Sequence, residues 1–183
     1  MKCIKTIAAL LTILLLSQLC ACNKEDEINA DIDAEFSGKN VTYESDGLSV
    51  TLDKNFVRVS SSRYSLKCQN NNLVFTAFYM EKFYFENTDV SSTLQALEYT
   101  GIGKDEGGVA GVNENGQSYT EYLQTYTEDG VTDTYRMYYV CIEDEERYWF
   151  CCFYSPETSF ETYRENILGY AESLTAVYTE SES

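Results

Sequence analysis

Seven cysteines, 30 carboxylates, 16 tyrosines and no histidine make up the reactive repertoire of this 183-residue chain. The missing histidine removes the Ser-His-Asp and Cys-His nucleophile systems, and most zinc hydrolases with them. Carboxylate chemistry passes that filter, because a glycosidase needs only two acids about 5 to 9.5 Å apart. The acids, however, gather in the reversals "TEDG", "EDEE" and "GKDEGG", where solvated charge is the ordinary filler. In "GIGKDEGG", Gly101, Gly103 and Lys104 suggest a phosphate loop. Glu106 then stands at the third glycine of G-x-G-x-x-G, and Asp105 where a P-loop needs Ser or Thr. "GVNENG" puts Gly111 where a calcium loop needs its first aspartate. No catalytic residue, cofactor or metal site is therefore expected.

Cys20 and Cys22, in "LSQLCACNKEDE", close a segment that opens with Lys2 and Lys5 and runs through "IAALLTILLL". A basic start, an apolar run too short to span a bilayer and small residues at its end are the order of a secretory signal. Around Cys22, "LCAC" resembles the bacterial lipobox, with Leu19 and Ala21 at the positions a signal peptidase reads. Residues 1–21 are thus expected to be a lipoprotein signal peptide, with Cys22 carrying the lipid as first residue of the mature chain. Anchoring then rests on at least two acyl chains at about 0.8 kcal/mol per buried methylene. Residues 22–39 begin "NKEDEINADIDAEF"; with no apolar period and self-repelling charge they are expected as a flexible acidic tether. Lys24 followed by Glu25, Asp26 and Glu27 resembles the surface-export signal of Bacteroidetes lipoproteins. The expected location is extracytoplasmic and membrane-anchored.

Without residues 1–21 the chain keeps 11 Lys and Arg against 30 Asp and Glu, a formal charge of −19. Nucleic acid and anionic surfaces are excluded as partners by like charge. A basic protein or a glycan of the cell envelope remains as a partner.

Cys68, Cys141, Cys151 and Cys152 belong to the folded part. Adjacent cysteines point to opposite faces of a strand, so Cys151 and Cys152 do not bridge each other. Buried free thiols are expected, with one bridge from Cys68 to Cys141, Cys151 or Cys152 as the alternative. Tyrosine is dense at Tyr119, Tyr122, Tyr126, Tyr135, Tyr138 and Tyr139. Each ring joins an apolar face to a polar tip, which suits cross-strand packing and equally suits contact with a sugar or protein. On a strand over 117–127, Tyr119 and Leu123 share one face and Tyr122 and Tyr126 the other. Tyr122 and Tyr126 are the candidate ligand contacts.

Turn signals divide residues 40–176 into one domain, leaving 177–183 as an expected disordered tail. Asp46-Gly47, "QNNNL", Asn115-Gly116, "EDG" and "EDEE" are the reversals, with Asn115 and Gly116 expected in a type I′ turn. Between them lies a meander of strands at about 107–113, 117–127, 131–142 and 146–154. In "YRMYYVCI" and "RYWFCCFY" both faces are apolar, so both must be covered. Pairing Glu143 with Glu146 would set Val140 opposite Trp149 and Tyr138 opposite Cys151. "TDVSSTLQALEYTG" offers one covering helix, capped by Thr88 or Asp89, with Val90, Leu94 and Leu97 as its stripe and Gly101 as its stop. "SPETSFETYRENILGYAESL" offers another, entered at Ser155 and Pro156, with the stripe Phe160, Tyr163, Ile167, Ala171 and Leu174. Gly169 weakens that helix by about 1 kcal/mol relative to alanine and reads as a close-packing position. The fold class is α+β: a mostly antiparallel twisted sheet of about six to seven strands between helices, in three α/β/α layers.

The succession "GLSVTLDKNF", "YSLKC" with "LVFTAFYM", a helix, "VAGVNENGQSYTEYLQTY", "YRMYYVCIEDEERYWFCCFYSP" and "FETYRENILGYAESL" resembles the PsbP/Mog-like superfamily, including DcrB-like bacterial lipoproteins. It covers most of residues 47–175, and Lys54 departs from it near a corner where those proteins often carry proline. The resemblance implies a non-enzymatic domain for binding or assembly, with no shared catalytic residues.

Overall fold

The turn chemistry builds the architecture outward from its hairpins. A computed structural model describes residues 40–178; the expected signal peptide (1–21), Cys22 and the expected tether (22–39) lie outside the described residues. Asp46 and Gly47, both at positive φ, join β1 (Val41–Ser45) to β2 (Leu48–Leu52). A short β3 (Val57–Arg58) leads to β4 (Leu66–Gln69). Asn70 turns the chain into β5 (Val74–Glu81) by accepting the backbone N–H of Asn72 and Leu73 on its side chain. A 3-10 turn (Lys82–Phe85) and the helix α1 (Thr93–Thr100) follow. Then come β6 (Val109–Val112), β7 (Ser118–Glu128), β8 (Val131–Glu143), β9 (Arg147–Pro156), α2 (Glu157–Glu172) and β10 (Thr175–Ala176).

Seven strands form one antiparallel sheet in the order β3-β4-β5-β9-β8-β7-β6, so the expected α+β class holds. A second sheet, β1-β2-β10, is an addition to the expected three layers. One face of the large sheet packs Phe75, Tyr138, Val140, Trp149, Cys151 and Phe153 against Phe160, Ile167 and Ala171 of α2 and Leu48, Val50 and Leu52 of β2. The other face packs Cys141, Tyr148 and Phe150 against Phe85, Ala96 and Leu97.

Helix α1 starts at Ser92, later than the expected Thr88 or Asp89. Thr88 is engaged with the Phe85 carbonyl, while Ser92 accepts from the Gln95 N–H and Gln95 reaches back to the Ser91 N–H. Helix α2 is capped by Pro156 without a side-chain bond, and Ser155 stays in the strand as a buried residue. Tyr163 packs half-buried against the core as expected, and Tyr170, donating its hydroxyl to Asp53 at 2.7 Å, joins the buried stripe. Asp53 also accepts the Asn55 N–H, so an Asp turn supplies the corner at Lys54. Gly169 has open space where a Cβ would sit, so close packing is not its reason. At the turn before β7 only Gly116 has positive φ. Glu114, Asn115 and Gly116 form a three-residue loop closed by Asn113 N–H to Gln117 O and Gly116 N–H to Asn113 O, instead of a type I′ turn.

The β8–β9 register differs by two from the expected one: Glu143 faces Tyr148, Val140 faces Cys151 and Tyr138 faces Phe153. Asp144 is the cause. Its side chain is 1% exposed, and Oδ1 accepts the N–H groups of Glu146 (3.0 Å) and Arg147 (2.8 Å). Oδ2 accepts Arg147 Nε and Trp149 Nε1, each at 3.0 Å. An acid read as solvated turn filler is thus a buried knot that lengthens the turn. A slip of two preserves every face, because side chains alternate with period two. The Arg147 guanidinium is sandwiched among Tyr79, Trp149 and Tyr178. Val177 donates its N–H to the Gly47 carbonyl, so the expected tail keeps its first two residues on the domain.

All four cysteines of the fold are free and buried. Cys68 shares a face with Cys151 only, and β5 lies between their strands, which sets them about 10 Å apart. A disulfide needs Cα atoms within about 7 Å, so the alternative bridge from Cys68 does not form.

Two predictions follow from this core. Burial alone would raise the Asp144 carboxyl, but the Trp149 indole, the two backbone N–H groups and the Arg147 guanidinium outweigh it and hold it below the ordinary range. The stability this contributes is complete above pH about 4 and disappears as pH falls through the depressed value. Asp144→Asn is expected to cost about 3 to 5 kcal/mol in urea denaturation followed by Trp149 fluorescence, and to flatten the acid limb of the stability profile. Burial pushes the Cys68 thiol up to about 12, and it also raises Cys141, Cys151 and Cys152. Iodoacetamide should therefore leave all four unmodified in the native protein and label all four in guanidinium, as read by peptide mapping.

Candidate functional site

Parity divides the tyrosines between the two faces of the large sheet. Tyr119 and Tyr138 lie on the α2 side, stacked at 5.4 Å, and belong to or pack against the core. Tyr122, Tyr126, Tyr135, Tyr139 and Tyr154 lie on the α1 side, fixed there by the pairs Tyr122–Met137, Gln124–Tyr135, Thr120–Tyr139 and Met137–Tyr154. The hairpin at Asp129 and Gly130, both at positive φ, is a two-residue type I′ turn, which locks the register that puts them there.

These five rings form a strip that begins at Tyr139, packed against the α1 cluster, and continues beyond it through Tyr122, Tyr126, Tyr135 and Tyr154. Tyr122 stacks on Tyr139 at 6.1 Å, Tyr126 meets Tyr135 edge-on at 5.9 Å, and Tyr135 meets Tyr154 edge-on at 6.2 Å. Tyr126 is 48% exposed and the other four are half-buried. Beneath them the floor is Cys152, Thr76 and Met137, all buried. Gly103, in the loop after α1, lies against the Tyr122 ring: an added Cβ would stand 2.2 Å from its Cδ1. Only glycine allows that loop to brace the ring.

Burial holds the Tyr122 and Tyr126 hydroxyls above the ordinary phenol range, and the neighbouring Cys152, Tyr64 and Glu106 add to this. Tyr139 and Tyr154 are raised for the same first reason. Tyr122, Tyr126, Tyr139 and Tyr154 are therefore neutral phenols at physiological pH, each able to donate and accept a hydrogen bond around an apolar ring. Tyr122 and Tyr126, the residues singled out from sequence, both lie on it. Tyr135, Tyr139 and Tyr154 complete it; the alternation in "YRMYYVCI" and "RYWFCCFY" already puts them on one face, but that α1 reaches Tyr139 and stops short of Tyr135 and Tyr154 is visible only in the fold.

Carboxylates are arranged differently. Glu121 lies on the α2 side, bonded by Arg164 and Arg136; burial would raise it, but the two guanidinium groups hold it low. Asp144 is committed to its turn. A depression of about 210 Å³ is lined by Asp144, Glu145 and Ala176–Tyr178, and one of about 310 Å³ lies between α1 and β6 with Glu98 as its acid. Among the described residues no group of three or more Cys, Asp or Glu is placed to hold a metal ion.

No family model matches the chain, and no curated protein does. Solved structures are similar to it. A protein of Bacteroides thetaiotaomicron VPI-5482 is 14% identical at a TM-score of 0.49, over 79% of this chain and 50% of that one, so this chain spans half its length. LpqN of Mycobacterium tuberculosis, involved in cell envelope biogenesis, is 14% identical at a TM-score of 0.47, over 75% and 90% of the two chains. Cyanobacterial PsbP (CyanoP) of Synechocystis sp. PCC 6803 is 11% identical at a TM-score of 0.50, over 76% of this chain and 93% of its own. At such identities a likeness speaks for architecture, and the last of the three carries it: the chain has the PsbP-like fold.

Proposed function

We propose that this chain is a non-catalytic accessory domain of the bacterial cell envelope, held at a membrane through lipid on Cys22, which recognises a partner with its tyrosine strip. The observation that supports this reading best is the strip itself: five phenols on one face of the sheet, braced by Gly103, with Tyr122, Tyr126, Tyr135 and Tyr154 outside the cluster that α1 covers. Rigid amphipathic rings supply contact area at little cost in conformational entropy. The partner is a basic protein or a glycan of the envelope. Residues 40–178 hold 22 Asp and Glu against nine Lys and Arg, which favours a cationic or neutral surface and disfavours nucleic acid. A structural role in an envelope assembly is the second reading, favoured by the free edge at β6.

Two experiments test the proposal. Capture from envelope extract should succeed with the protein and weaken at least tenfold with Tyr122→Ala/Tyr126→Ala, for a loss of about 1.4 kcal/mol or more. Undiminished capture by the double variant would remove the strip from the function. Salt-sensitive capture marks a basic protein, and salt-insensitive recovery of sugar marks a glycan. Separately, Cys22→Ala should lose fatty-acid labelling and membrane retention in a bacterial host. Unchanged retention would refute the anchor.

A further inference from the structure

The large sheet ends at β6, and that edge is not blunted in the usual ways. Its sequence "VAGV" has no charge and no proline, and Val109 and Val112 are 77% and 56% exposed. The hydrogen-bonding phase can be read from the turn. Asn113 donates its N–H to Gln117 O, so along the antiparallel ladder Gly111 is bonded to Tyr119 and Val109 to Glu121. The N–H and C=O groups of the alternate residues, Ala110 and Val112, therefore point away from β7 toward the open edge. At its start the strand is tied down, because Gly108 donates its N–H to the Gly103 carbonyl at 2.8 Å.

Beside this edge runs a groove of about 310 Å³ between the end of α1 and β6. Leu97, Ile102 and Ala110 give it apolar side chains, and Glu98 and Lys104 polar ones. An open strand edge with an adjacent apolar groove has the two parts of strand addition. Backbone groups pair with an incoming chain, and the groove takes every second side chain.

Charge decides what can occupy it. Around the groove and edge Glu98, Asp105, Glu106 and Glu114 are exposed, against Lys104. A second copy would bring 22 acids and nine bases from its own residues 40–178 against the same surface. Residues 22–39 carry six acids and two lysines, and residues 179–183 carry two acids and no base, so neither end of the chain is complementary. We infer that the β6 edge and the α1–β6 groove take an extended segment of another protein, apolar at alternate positions and basic at its flanks. This surface is separate from the tyrosine strip, and the inference stands without it.

The probe is a random dodecapeptide library displayed on phage, selected against the protein and against Ala110→Pro. Proline at 110 removes an N–H directed at the open edge and none from the ladder to β7, so the fold should survive, as Trp149 fluorescence and near-ultraviolet dichroism will show. If Ala110→Pro fails to fold, Val112→Pro replaces it for the same reason. Selected peptides should alternate apolar residues between Lys or Arg, bind the proline variant at least tenfold more weakly, and slow amide exchange at Ala110 and Val112. Failure to enrich any peptide, enrichment of acidic peptides, equal binding to the proline variant, unprotected amides at these two positions, or self-association through β6 in sedimentation would each overturn the inference.

Discussion

Strand β9 is the element the molecule is built to cover. From Arg147 to Phe153 every residue is buried, and the run includes Trp149, Phe150 and Phe153 at no more than trace exposure. A strand apolar on both sides cannot meet water on either, so it must be central and each face needs a lid. Truncating one such aromatic would cost about 3 to 5 kcal/mol, a large part of the stability of a domain this size. The two lids are unequal. On one side the sixteen residues of α2 and the small β1-β2-β10 sheet close over the core; on the other, α1 has eight residues and the 3-10 turn four. Eight helical residues extend about 12 Å, whereas the thirteen of β8 extend roughly 43 Å. The far half of that face has no helix to shelter it. Tyrosine suits such a half-wet surface, and the candidate recognition strip follows from the short lid.

The buried Asp144–Arg147–Trp149 cluster ties the central strand to the periphery. One carboxylate fixes the β8–β9 turn and orients the indole, while the guanidinium it holds reaches Tyr178 at the C-terminal end of the domain. Gly47 closes the same corner. A Cβ there would stand 2.0 Å from the Val177 carbonyl oxygen, so the return of the chain to the small sheet depends on that glycine. The small sheet is thus held to the large one by a polar knot as well as by the apolar residues of β2.

Period-two patterning was legible in the sequence because it depends on backbone geometry alone: the opposite faces of Cys151 and Cys152, the grouping of Tyr135, Tyr139 and Tyr154, and the separation of Tyr119 from Tyr122 all hold. Register was harder to read. It turned on whether Asp144 faced water or the core, which depends on the Arg147 and Trp149 side chains folding back onto it and on Tyr178, from the end of the domain, packing over Arg147. The start of α1 was misplaced because Thr88, Asp89, Ser91 and Ser92 are all cap-forming types, and the local bond of Thr88 to the Phe85 carbonyl takes the earliest out of use. Of the small sheet only the hairpin at Asp46-Gly47 was legible; its third strand, β10, is two residues long, below the length at which alternation carries a signal. For Tyr122 and Tyr126 the sequence supplied the face, while the extent of the covering helix supplied the exposure.

The loop between α1 and β6 joins the two surfaces that these unequal lids leave open. Gly103 presses on the Tyr122 ring from one side and accepts the Gly108 N–H on the other, so a single backbone segment braces the phenol strip and anchors the edge strand. Gly103, Gly107 and Gly101 all adopt positive φ, a path that side-chain-bearing residues would follow only under strain. The loop is closed on itself by backbone bonds from Lys104 to Gly101, Glu106 to Gly103, Gly107 to Lys104 and Gly108 to Gly103. Anything that displaces Gly103 from Tyr122 also moves the carbonyl that fixes Gly108 and, through it, the start of β6. The strip and the edge are therefore mechanically adjacent although they present different chemistry, phenols on one side and open backbone on the other.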